Sequence, residues 1–231
     1  MSRLMCSWVV VAAVSGLSPA TSAQAQGQSR AGVAEPFKLG TFRTTGQPFV
    51  GIVLRDSLII DVSAANAALQ TNPRQPAVQM PTDMLGVISA YESGIQRRLY
   101  DMVDTVVREN MLSGEKRPVW VHDVAKVRTL APILYPTKML NAAANYYAHA
   151  GEASSPEEAK KIEAGLRQNR GTPYVFLKPT VGAIIGNGDD IIMPRGRDRI
   201  DWECEIGVVI GKRAKYVPAA QAADYIFGYT I

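Results

Sequence analysis

Cysteine and histidine are scarce in this chain, with two of each in 231 positions. Cys6 sits in an apolar stretch at the N-terminus, and Cys204 stands far beyond it. Removal of that stretch on export would leave one cysteine, so no internal disulfide could form. The apolar stretch itself, Cys6 to Leu17, is uncharged but too short to cross a bilayer comfortably. Neither sign of charge dominates. With 25 basic and 21 acidic residues the net charge is +4, too mild and too evenly spread for a nucleic-acid partner. Arg195, Arg197 and Arg199 form the one local basic cluster. It reads as a solvated loop, with attraction of an acidic substrate as the lesser alternative. What is present suits an enzyme: 47% hydrophobic and 20% charged residues, enough for a sizeable core and one or two domains.

The N-terminus has the pattern of a secretory leader. Met1-Ser2-Arg3 is positive, the apolar stretch follows, and small residues end in Ala23-Gln24-Ala25, with cleavage expected after Ala25. This implies a periplasmic or secreted protein; an uncleaved anchor or a misplaced start, with a cytoplasmic chain, is the alternative. Residues 26–36 read as a linker. Phe37–Arg43, Phe49–Leu54 and Ser57–Asp61 are short apolar-rich runs separated by turn chemistry, which predicts an antiparallel meander. Val62–Leu69 predicts a short helix. Thr82 is placed to cap a second helix with Met84, Ile88 and Tyr91 on one face. Ile95, Leu99, Met102, Val106 and Val107 continue at helical spacing to about Leu112, where Ser113-Gly114 supplies a stop. A domain boundary is expected near residue 126, after which Lys138–Asn141 reads as a short strand.

Two motifs carry the chemistry. Asp201-Trp202-Glu203-Cys204-Glu205 leads into Ile206–Gly211, an apolar run that reads as a buried strand. Side chains alternate along a strand, so Glu203 and Glu205 would share a face, with Asp201 in line behind them. Carboxylates so placed repel one another unless a cation neutralises them. Oxygen-only donors suit magnesium, manganese or calcium rather than zinc. The alternative is a strand end whose carboxylates face water. Cys204 is expected on the opposite face as a small buried residue. In the second motif, Asn145-Tyr146-Tyr147-Ala148-His149-Ala150-Gly151-Glu152, His149 and Glu152 share one face of a helical turn and could act as a general base. A surface hydrogen-bonded pair is the plainer reading. His122 has no motif around it and is taken as structural or exposed.

The order Asn-Tyr-x-x-His-x-x-Glu (145–152), Phe-Leu-Lys-Pro (176–179), Asp-Trp-Glu-x-Glu-Ile-x-Val-Val-Ile-Gly-Lys (201–212) and Phe-Gly-Tyr-Thr (227–230) resembles the fumarylacetoacetate hydrolase family. The likeness runs from about Val127 to the chain end, and 37–61 resembles, more loosely, the small N-terminal domain of many members. The resemblance implies an α+β fold: a mixed β-sheet roll over 127–231, preceded by a small β-rich domain with helices over 37–126. It also implies roles. Glu203 and Glu205 match the metal-binding glutamates, and His149 and Glu152 the dyad that activates a water on a mobile segment. Lys178 matches the lysine of the Phe-x-Lys-Pro motif, a partner for a substrate carboxylate or for the lid; an exposed lysine at a strand end is the alternative.

The mechanism so implied uses magnesium, or manganese or calcium, on a small 2-oxo acid or dicarboxylate. The cation would stabilise an enolate as a carbon–carbon bond of an acylpyruvate-like substrate breaks. The same site without water attack would serve decarboxylation or isomerisation. A homodimer is expected by analogy, and no membrane partner for the mature chain. Two departures from the family pattern stand out. Ala143 occupies a place where members usually carry glycine, which would affect the turn presenting His149. The family's third metal carboxylate follows the Gly-Tyr-Thr motif, and the sequence stops at Ile231. Asp224 precedes that motif, is expected on a helix, and is not a substitute. These departures lead to the expectation of a fragment of a longer enzyme, or else a non-catalytic binding remnant of the fold.

Overall fold

The structure is a computed structural model that describes residues 35–71, 77–152, 154–169 and 171–231. The leader read over 1–25, most of the 26–36 linker and the Asn72-Pro73 step lie outside the described residues. The architecture is α+β. Contacts divide it into two compact units, one running to Leu134 and resuming at Ile185–Ile231, the other Tyr135–Ile184.

The first unit opens with the expected meander: β1 (Lys38–Arg43), β2 (Phe49–Leu54) and β3 (Leu58–Asp61). Register is set by turns. Gly46 supplies a φ of +89° between β1 and β2, and Arg55 and Asp56 take φ values of 54° and 53° between β2 and β3. That strained pair is held by Glu35, which accepts from Arg55 Nε at 2.7 Å, and by Lys38, 2.5 Å from Asp56. Helix α1 (Val62–Leu69) starts where Asp61 Oδ1 accepts from the Ala64 N–H at 3.0 Å. In α2 (Met84–Ala90) the cap is Asp83 rather than the expected Thr82, with Asp83 Oδ1 accepting from Gly86 N at 2.8 Å. A 3-10 turn and Gly94 at φ 114° then break the helix before α3 (Ile95–Arg108). This helix ends short of the expected Leu112, where Asn110 takes a left-handed φ of 55°. Two short strands, β4 (Val121–Asp123) and β5 (Arg128–Thr129), complete an antiparallel sheet in the order β4-β3-β2-β1-β5.

The core lies between this sheet and the helices. Leu39, Ile52, Leu54, Ile60, Val62, Leu99 and Met102 are fully buried against one another. Phe42, Val53 and Ile59 pack on the other face of the sheet. His122 on β4 stacks near Phe49, ring centroids 5.6 Å apart, a structural role as expected. One cation sits inside: Arg98 is 2% exposed and donates from Nε to Asn66 Oδ1 at 2.8 Å, while Asn66 Nδ2 donates to the Val78 carbonyl at 2.8 Å. Burial pulls the Arg98 pKa down.

The same unit contains β8 (Gly207–Ile210) and β9 (Ile226–Thr230), an antiparallel pair with a bulge at Phe227. Val209 joins the main core, and Phe227 meets Tyr91 edge-on, 4.9 Å between centroids. Burial pushes the Tyr91 phenol up to about 12. Lys212 pairs with Glu92 at 2.6 Å. The second unit contains β6 (Leu140–Ala142), helix α4 (Pro156–Gln168) and β7 (Val175–Leu177), with β6 and β7 antiparallel.

Candidate active site

In the second unit β6 and β7 form the base from which the His149 segment rises. Their pairing, Leu140↔Leu177 through Ala142↔Val175, is extended by Ala143 N donating to Tyr174 O and Lys178 N donating to Met139 O, both at 3.0 Å. Everything from Ala144 to Gly171 is therefore one excursion between paired strands. The excursion begins at a left-handed residue, and that residue is Ala144, φ 47°. The glycine-type position is one residue beyond the Ala143 flagged by the sequence. An L-residue there costs on the order of 1 kcal/mol.

His149 opens a 3-10 turn over His149–Gly151, with Glu152 directly after it. The i, i+3 spacing brings the two side chains together as expected, His149 Nδ1 to Glu152 Oε2 at 3.0 Å. Both are exposed, 49% and 67% of their side chains. Gly151 is buried because α4 passes behind it. Lys178 follows β7 with its side chain exposed. Sequence reasoning missed α4 altogether, although its signal was present. Ser155 and Glu158 form a capping box, and Pro156 takes the first helical position.

In the first unit, Glu203 and Glu205 stand on an exposed irregular segment, 201–206, and not on a strand. The strand starts only at Gly207, and the expected buried run is mostly open: Ile206, Val208 and Ile210 are 61%, 49% and 54% exposed, with Val209 alone buried. Alternation along a strand therefore does not align the two carboxylates. Asp201 turns its carboxylate onto the Trp202 N–H at 2.9 Å. Cys204 is exposed, which corrects the expectation of a small buried residue. Asp224 lies in a 3-10 helix over Ala219–Tyr225. Among the described residues no group of three or more His, Cys, Asp or Glu side chains is gathered as a metal cage. The donors at 203 and 205 are nonetheless of the hard, oxygen-only kind.

The polar group best held in this stretch is Asp189. It accepts from Gly186 N at 2.8 Å and pairs with Arg128 of β5; the Gly186 N–H and then Arg128 hold its carboxyl below the usual range. Arg195, Arg197 and Arg199 lie on an exposed loop.

Residues 138–231 match the family model described as the fumarylacetoacetate (FAA) hydrolase C-terminal domain. Over that stretch the chain is similar to the fumarylacetoacetate hydrolase family. Relatives agree. A protein of Pyrococcus horikoshii is 48% identical over 98 residues, 42% of this chain and 36% of that protein. A Mycobacterium tuberculosis protein is 40% identical over 108 residues, 47% of this chain and 36% of its own length. Bovine mitochondrial oxaloacetate tautomerase FAHD2A is 35% identical over 107 residues, 46% of this chain and 30% of its own. The chain thus spans about a third of the length of the curated relatives it matches. The matched stretch includes both the His149 turn and the Glu203–Glu205 segment. The meander of β1–β3 lies outside it.

Proposed function

We propose that the family segment serves a divalent-metal-dependent enzyme that moves a proton on a 2-oxo acid through its enol form. The His149 Nδ1···Glu152 Oε2 contact at 3.0 Å carries this reading. With the Nδ1 proton donated to the Glu152 carboxylate, Nε2 of His149 keeps its lone pair and becomes the proton acceptor. Glu152 holds that tautomer and balances the charge once the proton arrives. Glu203 and Glu205 are the residues that would hold a magnesium, manganese or calcium ion, on the chemistry of their donors. Held by Glu203 and Glu205, such an ion would supply Lewis-acid polarisation of a substrate carbonyl. Lys178 offers an exposed cation for a substrate carboxylate.

Among the outcomes of this chemistry, the likeness to the bovine and human oxaloacetate tautomerases favours keto–enol tautomerisation. There the proton leaves carbon for His149 Nε2, the oxygen gains one, and no carbon–carbon bond breaks. Hydrolysis of an acylpyruvate-like substrate is the second reading, favoured by the hydrolase family match. In that case the same pair takes its proton from a water. The test presents the purified chain with enol oxaloacetate and with a simple acylpyruvate, with and without magnesium. We expect metal-dependent conversion that His149→Gln lowers at least 100-fold, the usual scale of a lost general base. Conversion unchanged in that variant would remove the proposal. Export is part of the same reading, and an exported chain beginning at Gln26 is the expected result of N-terminal sequencing.

A further inference from the structure

We infer that α4 is a splint that positions the His149–Glu152 turn, with Arg167 and Tyr147 as positioning residues at one end of it and Gly151 against Ala159 at the other. Its catalytic consequence rests on the function proposed above; its mechanical content does not. Helix α4 buries none of its own side chains, so packing into a core does not explain it. Yet its start is firmly set, with Ser155 Oγ accepting from the Glu158 N–H and the Glu158 carboxylate accepting from the Ser155 N–H at 3.2 Å.

Two contacts then tie its length to the segment bearing His149. A Cβ added to Gly151 would lie 2.7 Å from Ala159 Cβ and 2.9 Å from Ala159 Cα, so the backbones touch there. Two turns further on, the Arg167 guanidinium lies 4.4 Å from the Tyr147 ring centroid and also pairs along the helix with Glu163 at 2.6 Å. At the rise of an α-helix those two contact points are about 12 Å apart. The chain from Tyr147 to Gly151 therefore runs back along α4, and His149 is the midpoint between its two attachments. Between them the described backbone bonds are short-range: Ala150 N to Tyr146 O at 3.4 Å, Gly151 N to Ala148 O at 3.1 Å and Glu152 N to His149 O at 3.2 Å. Such a turn frays by itself; pinned at both ends it keeps the ring nitrogen within reach of the carboxylate.

The test is amide hydrogen exchange by NMR at Ala150, Gly151 and Glu152 in the full chain, which does not depend on activity. Arg167→Ala and Arg167→Gln should speed exchange about two- to fivefold, the scale of an exposed cation–π contact. Arg167→Lys, which keeps a cation over the ring, should recover most of the protection. Glu163→Gln removes only the pair along the helix and should leave the three amides close to wild type. Gly151→Ala forces the backbones apart and should exceed Arg167→Ala. Turnover of Arg167→Ala should fall by the factor seen in exchange, in kcat more than in KM. Unchanged exchange in both Arg167→Ala and Gly151→Ala overturns the splint, as does equal acceleration in Arg167→Ala and Glu163→Gln. Full activity in His149→Gln would instead defeat the proposed function and leave the exchange result to decide the splint alone.

Discussion

Two stretches of this chain bury their apolar residues to very different degrees. From Phe37 to Ala131 the strands and helices close on one another and supply every fully enclosed hydrophobic side chain of the described residues except Val209. The family segment, 138–231, holds its apolar side chains in the open: Val175, Leu177, Ile192 and Trp202 are between 51% and 86% exposed. The residues proposed for chemistry are all in the second stretch. Stability and proposed chemistry are thus carried by different parts of the sequence. Exposed, loosely tied elements are also those that open most readily.

Substitutions that break this contrast should differ most in stability. Leu99→Ala, deep in the core, should cost about 2–5 kcal/mol in a denaturant melt. Val208→Ala, on the open side of β8, should stay within about 0.5 kcal/mol. Equal costs would erase the distinction. Next in size is Asn66→Ala, which takes partners from buried Arg98 and from the Val78 carbonyl and should cost about 1–3 kcal/mol.

The contrast also explains what could be read in advance. Strand Phe49–Leu54 and helix Val62–Leu69 have the bounds that patterning gives, because both sit on one core with one face inward. The pairing of His149 with Glu152 was legible too, since i, i+3 contact is a property of the turn alone. Burial of Ile206–Gly211 was not, because apolar sequence cannot say whether another layer covers it. Nor was α4 read, although its Ser155–Glu158 capping box and the i, i+3, i+7 spacing of Ala159, Ile162 and Leu166 stood in the sequence; the stripe is short and closes on no core. The left-handed position fell one residue past Ala143 because the β6–β7 ladder runs on through Ala143, a long-range constraint.

Smaller effects sharpen the picture within the family segment. Ala144→Gly relieves a left-handed alanine and should raise stability by about 0.5 kcal/mol, the relief less the entropy that glycine costs. A loss would mean that the turn is not strained. At Asp189 the folded carboxyl is held below its ordinary range, so its stabilising contribution is present above the unfolded value of about 4 and fades as pH falls through the folded one. A carbon-detected titration should show that low midpoint, and Asp189→Asn should flatten the acid limb of stability. A midpoint at the ordinary aspartate value would contradict the tether to Gly186 and Arg128.

The most direct test of the account asks whether the exposed carboxylates hold a metal at all. Trp202, 75% exposed, adjoins Glu203, so quenching by paramagnetic manganese reports an ion bound there. The account predicts saturable quenching of Trp202, reversed by magnesium and absent in Glu203→Gln/Glu205→Gln. Quenching that never saturates, or that the double variant retains, would contradict it.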